Sequence, residues 1–419
     1  MVVLLLLLAD TAGSAVIDPW APVPPYPPSP LAARVKVDTV SIPALHQGDT
    51  WPSTWGKDGE LLLAGCDNHP DNGTGMVGTD FFSLSGSPEQ PETLELTLKN
   101  PSPVTTEFCQ QPADGPGRPG APWDKQYPGT TNVKSAGMIS VGGKLFLGVQ
   151  CQNYGDNPTF NRQHNVDAWI VTSEDGGVTW QNGTEPHSLT GRFTSPCFLQ
   201  QGQDHSLSSD GYVYMYYPSA ADGKAYWCNN DGMLLARAKP EDLLNYSKWE
   251  VVVEMLGREN PVPKWAANAW DEAVFVFTFP LMTGENGIVT YNPTFKRYFL
   301  PNYSFLENNM STPLAWHNSV YDLKRYHHRS QITIFESENP WGPWRLVWRD
   351  DDAEQTFGLI GPYTVRNRLL TYYCSGYFGF CVYVDSLRCQ TDRCLLVLCP
   401  GQPTFPPKFV QTNGYATAI

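Results

Sequence analysis

The sequence is short of positive charge. Lysines and arginines number 28 against 42 aspartates and glutamates, a formal net charge of −14. Nucleic acids and anionic membranes require a basic footprint, so neither is expected as a partner. A strongly polyanionic substrate is disfavoured for the same reason, except where a local basic pocket overrides the global sign. Long apolar runs are also lacking. Val2 to Leu8 is a short one, and no other segment approaches the roughly 20 residues of a membrane-spanning helix. No cysteines have the doubled C-x-x-C spacing of a zinc site, so no metal and no cofactor is expected. Helical periodicity is confined to scraps such as Pro240 to Asn245, where Glu241 and Asp242 form an acidic first turn.

What is present points outward from the cell. The apolar run followed by Gly13-Ser14-Ala15 has the form of a signal peptide over residues 1–15. Ten cysteines, an even set, and five sequons at Asn72, Asn182, Asn245, Asn302 and Asn309 agree with an oxidising, glycosylating compartment. The expectation is a secreted, extracellular, disulfide-bonded glycoprotein acting as a monomer. Prolines crowd Pro19 to Pro30, so residues 16–44 are expected to form an extended lead-in rather than folded core.

Aromatic content of 13%, with 36 glycines and 37 prolines, favours short strands and turns over helices. From Val35 onward, β-prone runs punctuated by glycine turns fall into five groups without a linker between them. Five four-stranded units describe an all-β fold, a five-bladed β-propeller over residues 45–400. A β-sandwich of this size would need two domains. Cys374, Cys381, Cys389, Cys394 and Cys399 would staple the last blade, and residues 401–419 read as a tail.

The densest chemistry lies between His46 and His69. Lys57-Asp58-Gly59 marks a tight turn between two β-prone segments. If the turn is centred on Asp58, paired residue numbers sum to 116, and Asp49 faces Asp67 at the open end. Asp49, Trp51, Ser53 and Trp55 then share one face, with the carbons of an opposed pair about 5 Å apart. Two carboxylates beside indole platforms suit glycosidic-bond chemistry. A one-residue slip would separate them.

Ser173-Glu174-Asp175-Gly176-Gly177-Val178-Thr179-Trp180 matches S-x-D-x-G-x-T-W. It resembles the Asp-box of sialidases and other propellers, which implies a structural turn between outer strands and no catalytic role for Asp175. A second set comprises Asp49-x-Trp51-Pro52-x-Thr54-Trp55, then Gly202-Gln203-Asp204-His205, Asp210-Gly211-Tyr212, Leu235-Ala236-Arg237, Thr290-Tyr291-Asn292-Pro293, and Ser337-Glu338-Asn339-Pro340-Trp341. In this order they resemble the five-bladed propeller family that includes the endo-D-arabinanases. The resemblance covers roughly residues 45 to 375. It implies an acid/base pair on the first blade, at Asp49 and Asp67.

The expected function is therefore a glycoside hydrolase acting on a neutral poly- or oligosaccharide, arabinan-like glycans included. Asp49 and Asp67 would be catalytic, with Trp51, Asp204, His205 and His317 binding substrate. Two rivals use the same residues differently. A polysaccharide lyase would employ His205 or His317 as base and Arg237 against a uronate. A lectin would keep the tryptophans and bind without turnover.

Overall fold

In the computed structural model, the described residues are 26–32, 35–39, 52–68, 78–87, 90–104, 132–153, 164–183, 185–186, 188–226, 228–257, 259–283, 289–293, 295–305, 330–353, 359–365, 368–375, 378–385, 394–398, 409–412 and 415–418. Strands dominate them, and no helix among them is long and apolar enough to cross a membrane.

After β1 (Val35–Thr39), the first sheet runs in order through β2 (Ser53–Trp55), β3 (Leu61–Asn68), β4 (Gly78–Ser87) and β5 (Gln90–Val104). The hairpin turn forms where Lys57-Asp58-Gly59 predicts it: Gly56 donates to Glu60 O at 2.8 Å, and Gly59, at φ 86°, donates to Gly56 O at 3.1 Å. Ser53 pairs with Leu63, Thr54 with Leu62 and Trp55 with Leu61, the register in which residue numbers sum to 116. The continuous run Leu61-Leu62-Leu63-Ala64 is buried throughout, as a strand covered on both faces requires.

The second sheet contains β6 (Asn132–Val141), β7 (Lys144–Asn153) and β8 (His164–Ser173), with β9 (Gln181–Asn182) and β10 (Leu189–Thr190) both on β8. Gly137 and Gly148 are cross-strand partners. A Cβ at Gly137 would lie 2.6 Å from Cys197 Cα, and one at Gly148 would lie 2.6 Å from Pro196 O. These glycines let the neighbouring sheet approach at backbone distance.

The next strands are β11 (Cys197–Phe198), β12 (Val213–Ser219), β13 (Cys228–Ala238), β14 (Glu250–Leu256), β15 (Val262–Ala267), β16 (Phe275–Thr283), β17 (Thr290–Asn292), β18 (Arg297–Phe305), β19 (Ser330–Ser337) and β20 (Arg345–Ala353). All ten form one sheet. Strand β13 is long enough to pair with β14 at Ala236 and Arg237 and with β16 between Cys228 and Leu234, while β16 meets β18 through Met282 and Ser304. The last large sheet places β21 (Leu359–Val365), β22 (Arg368–Ser375), β23 (Phe378–Asp385) and β24 (Cys394–Leu398) in order, with β1 parallel to β24 at its edge.

The fold is thus all-β with a propeller arrangement, and the sheet count corrects the five-blade expectation. The described residues form four sheets of four or more strands, because β13 to β16 pairing fuses the third and fourth predicted units. A β-hairpin, β25 (Phe409–Thr412) with β26 (Tyr415–Ala418), lies in the stretch read as a tail.

The lead-in also departs from expectation at its end. Pro28 bridges to Leu346, Ser29 donates its hydroxyl to Glu336 at 2.7 Å, and Tyr26 stacks on Phe277 with centroids 5.0 Å apart. Part of the proline-rich segment is therefore core, because Tyr26 supplies an apolar ring whose hydroxyl reaches Thr278 O at 2.9 Å. One sequence expectation about modification changes as well. Asn302 is buried, with its amide donating to Thr333 Oγ1 at 2.9 Å, so this sequon is closed to a glycan in the folded chain.

Candidate functional site

The first strands of successive units run the same way. On β6, Ser140 N donates to Thr54 Oγ1 of β2 at 2.9 Å, and the β6 turn at Gly143 lies beside Lys57 of the β2 turn. After β11, Gln200 Nε2 donates to Met138 O of β6 at 2.6 Å, and Gln200 forms a parallel bridge with Thr290 of β17. This shared direction gives the molecule two unlike faces.

One face carries tight turns: Gly56 to Glu60, Gly142-Gly143, and the segment from Glu174 to Trp180. The other, the loop face, is where β3, β5, β7 and β18 end and where β4, β6, β8 and β19 begin. Binding and catalytic residues concentrate on loops held by a rigid scaffold, so the loop face is where a substrate site is sought.

Asp67 is on β3 near that face. Its strand also changes register: Gly65 pairs with Asp80 and Asn68 with Gly78, leaving Cys66 and Asp67 opposite Thr79 alone. Such a bulge re-aims side chains and recurs next to active sites. Asp49, Trp51 and His317 lie outside the described residues.

Asp204 and His205 sit on the opposite, turn face. They occupy a short 3-10 turn, Gln203–His205, with left-handed φ values of 48° and 61°. Gln203 Nε2 donates to Lys57 O at 2.7 Å, and Asp204 Oδ1 accepts from Ser140 Oγ at 2.7 Å and from Gly143 N at 2.9 Å. The six steps from Leu61 to Asp67 correspond to about 20 Å of strand rise, so Asp204 and His205 are not brought together with Asp67. His205 is buried, with Nε2 2.9 Å from Tyr212 O; burial lowers its pKa against the opposing pull of Asp210 and Asp204.

Arg237 is committed to structure. Its Nε donates to Glu250 Oε2 at 2.7 Å, and its guanidinium lies 4.2 Å from the Tyr212 ring centroid and 4.1 Å from that of Trp265. The motif around Asp175 also folds on itself. Asp175 accepts from Ser173 Oγ, Thr179 N and Thr179 Oγ1 at 2.8, 2.9 and 2.6 Å, and Trp180 meets Phe81 edge-on with centroids 5.4 Å apart. These bonds to the ionised form hold the Asp175 carboxyl at about 2.

Toward the loop face the structure reveals charged groups that the sequence reading passed over. Lys134, Asp167 and Asp80 are 3%, 2% and 8% exposed. Lys134 is the cross-strand partner of Gln150, Asp167 of Cys151, and Asp80 of Gly65. Asn165 Nδ2 donates to Gln150 Oε1 at 2.9 Å, extending the polar layer. Charges are buried only at a cost unless paired. The available signal was a charge inside a β-prone run, as in Thr79-Asp80-Phe81-Phe82 and Asp167-Ala168-Trp169.

No family model matches the sequence, and no curated protein matches it. Solved structures do. A GH43_1 enzyme from Xanthomonas citri is similar at 13% identity and a TM-score of 0.41, covering 92% of this chain and 94% of its own. The Bombyx mori GH32 beta-fructofuranosidase is similar at 12% identity and a TM-score of 0.46, over 86% of this chain and 64% of that one. A Penicillium chrysogenum alpha-L-arabinanase, complexed with arabinobiose, shares 11% identity at a TM-score of 0.40, over 89% and 88%.

Proposed function

We propose that the chain is a secreted glycoside hydrolase that cleaves a neutral poly- or oligosaccharide at the loop face, with Asp49 and Asp67 as its carboxyl pair. The observation that carries this reading is the β2–β3 register. Pairs at Ser53↔Leu63 and Thr54↔Leu62 sum to 116, the alignment on which the opposition of residues 49 and 67 depends.

In this reaction one carboxyl, kept protonated by burial or by its neighbour's charge, donates its proton to the leaving glycosidic oxygen. The other, ionised, either attacks the anomeric carbon or removes a proton from the attacking water. A separation of about 5.5 Å gives retention, and one of about 6.5 to 9.5 Å gives inversion. Trp51 would offer a flat apolar face to the sugar.

Of the groups a lyase would use, Arg237 and His205 have structural roles, and His317 lies outside the described residues. Arg237 is occupied by Glu250 and two aromatic rings, and His205 is buried on the turn face. Export, with disulfides among its cysteines, remains part of the proposal on the strength of the leader-like segment and the cysteine set. The test is release of reducing ends from arabinan, arabinoxylan and fructan by wild type, Asp49→Asn and Asp67→Asn.

A further inference from the structure

The turn face carries a pocket of about 390 Å³ lined by Leu207, Ser209, Tyr291, Lys296, Arg297, Tyr298, Glu338 and Asn339. Three separate turns build it: the loop after Gln203–His205, the β17–β18 turn, and the turn that follows β19. Its groups are largely fixed in place. Arg297 Nε lies 3.1 Å from Glu336 Oε2 and its Nη2 lies 2.6 Å from Glu338 Oε1. Tyr291 and Tyr298 are cross-strand partners with ring centroids 5.0 Å apart. Gln201 Nε2 approaches the Tyr298 hydroxyl at 3.5 Å, and burial pushes the Tyr298 phenol up to about 12, so it stays protonated.

The charges decide what kind of ligand fits. Lys296 and Arg297 line the pocket with two positive charges and Glu338 with one negative charge, while Glu336, buried behind Arg297 and paired with it, and Asp210, whose charge acts on Tyr298, leave no positive excess. An anion would meet no net attraction, whereas a neutral polyol would meet a phenol, an amide, a hydroxyl and a salt-bridged guanidinium beside tyrosine rings. Aromatic rings with a polar rim are surfaces on which sugar rings stack and hydrogen-bond.

We propose that this pocket is a second carbohydrate-binding site, taking one or two residues of a neutral glycan on the face opposite the hydrolytic site. Binding stands on the pocket's own chemistry, and only its role rests on the proposed hydrolytic function. Its role is retention: a polymer held on the turn face raises the local concentration of the same polymer at the loop face.

The test is hydrogen–deuterium exchange of the full chain with soluble arabinan, arabinoxylan and fructan as probes, together with the variants Tyr291→Ala and Asn339→Ala. One of these neutral glycans is expected to slow exchange in the segments around Tyr291 to Tyr298 and Glu338-Asn339. Each variant is expected to weaken that binding by about tenfold, the loss of roughly one good contact, while remaining cooperatively folded. Asp67→Asn is expected to leave the turn-face protection intact, which separates this site from the hydrolytic one. Protection confined to other segments, no protection by any probe, or unchanged binding in both folded variants would overturn the proposal.

Discussion

Ser140 donates its hydroxyl to Asp204 at 2.7 Å, and this bond joins β6 to the turn that follows β11. Because Gly143 N reaches the same oxygen, Asp204 fastens the second sheet to the third. Asp204→Ala is expected to cost about 2 kcal/mol in urea unfolding, since hydrogen bonds to a charged acceptor contribute about 1.5 to 3 kcal/mol before solvent screening. Asp204→Asn, which tolerates the left-handed backbone, should cost less. A raised KM with unchanged stability would instead make Asp204 a substrate contact.

Asp175 should give an acid-dependent contribution to stability. Its folded pKa of about 2 lies below the ordinary 3.8 because Thr179 bonds to the ionised form. The contribution is therefore complete above about pH 4 and disappears as pH falls toward 2. Comparing the thermal midpoints of wild type and Asp175→Asn across that range should show a difference that closes on acidification. The difference should be small, because the side chain is exposed.

His205 carries the same sign for a different reason. Burial lowers its pKa below 6.5, so the unfolded chain takes up the proton first and stability falls as pH drops below that value. His205→Asn, which suits the φ of 61°, should flatten this part of the pH–stability curve. An unchanged curve would show that His205 titrates normally.

Gly176 and Gly177 both have positive φ, 70° and 90°, but their surroundings differ. A Cβ at Gly176 would meet nothing, whereas one at Gly177 would overlap the Phe81 ring that packs against Trp180. Gly176→Ala should cost about 1 kcal/mol of backbone strain. Gly177→Ala should cost clearly more in the same chemical unfolding experiment, because the first and second sheets must separate to admit the methyl group.

Much of the fold was legible because local chemistry dictates it. Lys57-Asp58-Gly59 set both turn and register, and Ser173 to Trp180 carried its own hydrogen-bond pattern in the sequence. The fusion of two predicted units was not legible, since nothing in the sequence of β13 shows that it pairs with both β14 and β16. Tyr26 was hidden in a proline-rich segment whose composition resembles a linker. For the site, Asp204 and His205 lie in the turn after β11, and the sequence does not tell which of the two faces they occupy. The strand directions do, and they place these residues about 20 Å of strand from Asp67.

The central claim is tested most directly by reducing-end release from neutral polysaccharides, comparing wild type with folded Asp49→Asn and Asp67→Asn. Loss of general-acid or nucleophile function predicts a fall in kcat of about a hundredfold or more in each variant. Turnover that survives both substitutions would contradict the Asp49–Asp67 site, and an inert wild type on the whole panel would contradict hydrolysis of neutral glycans.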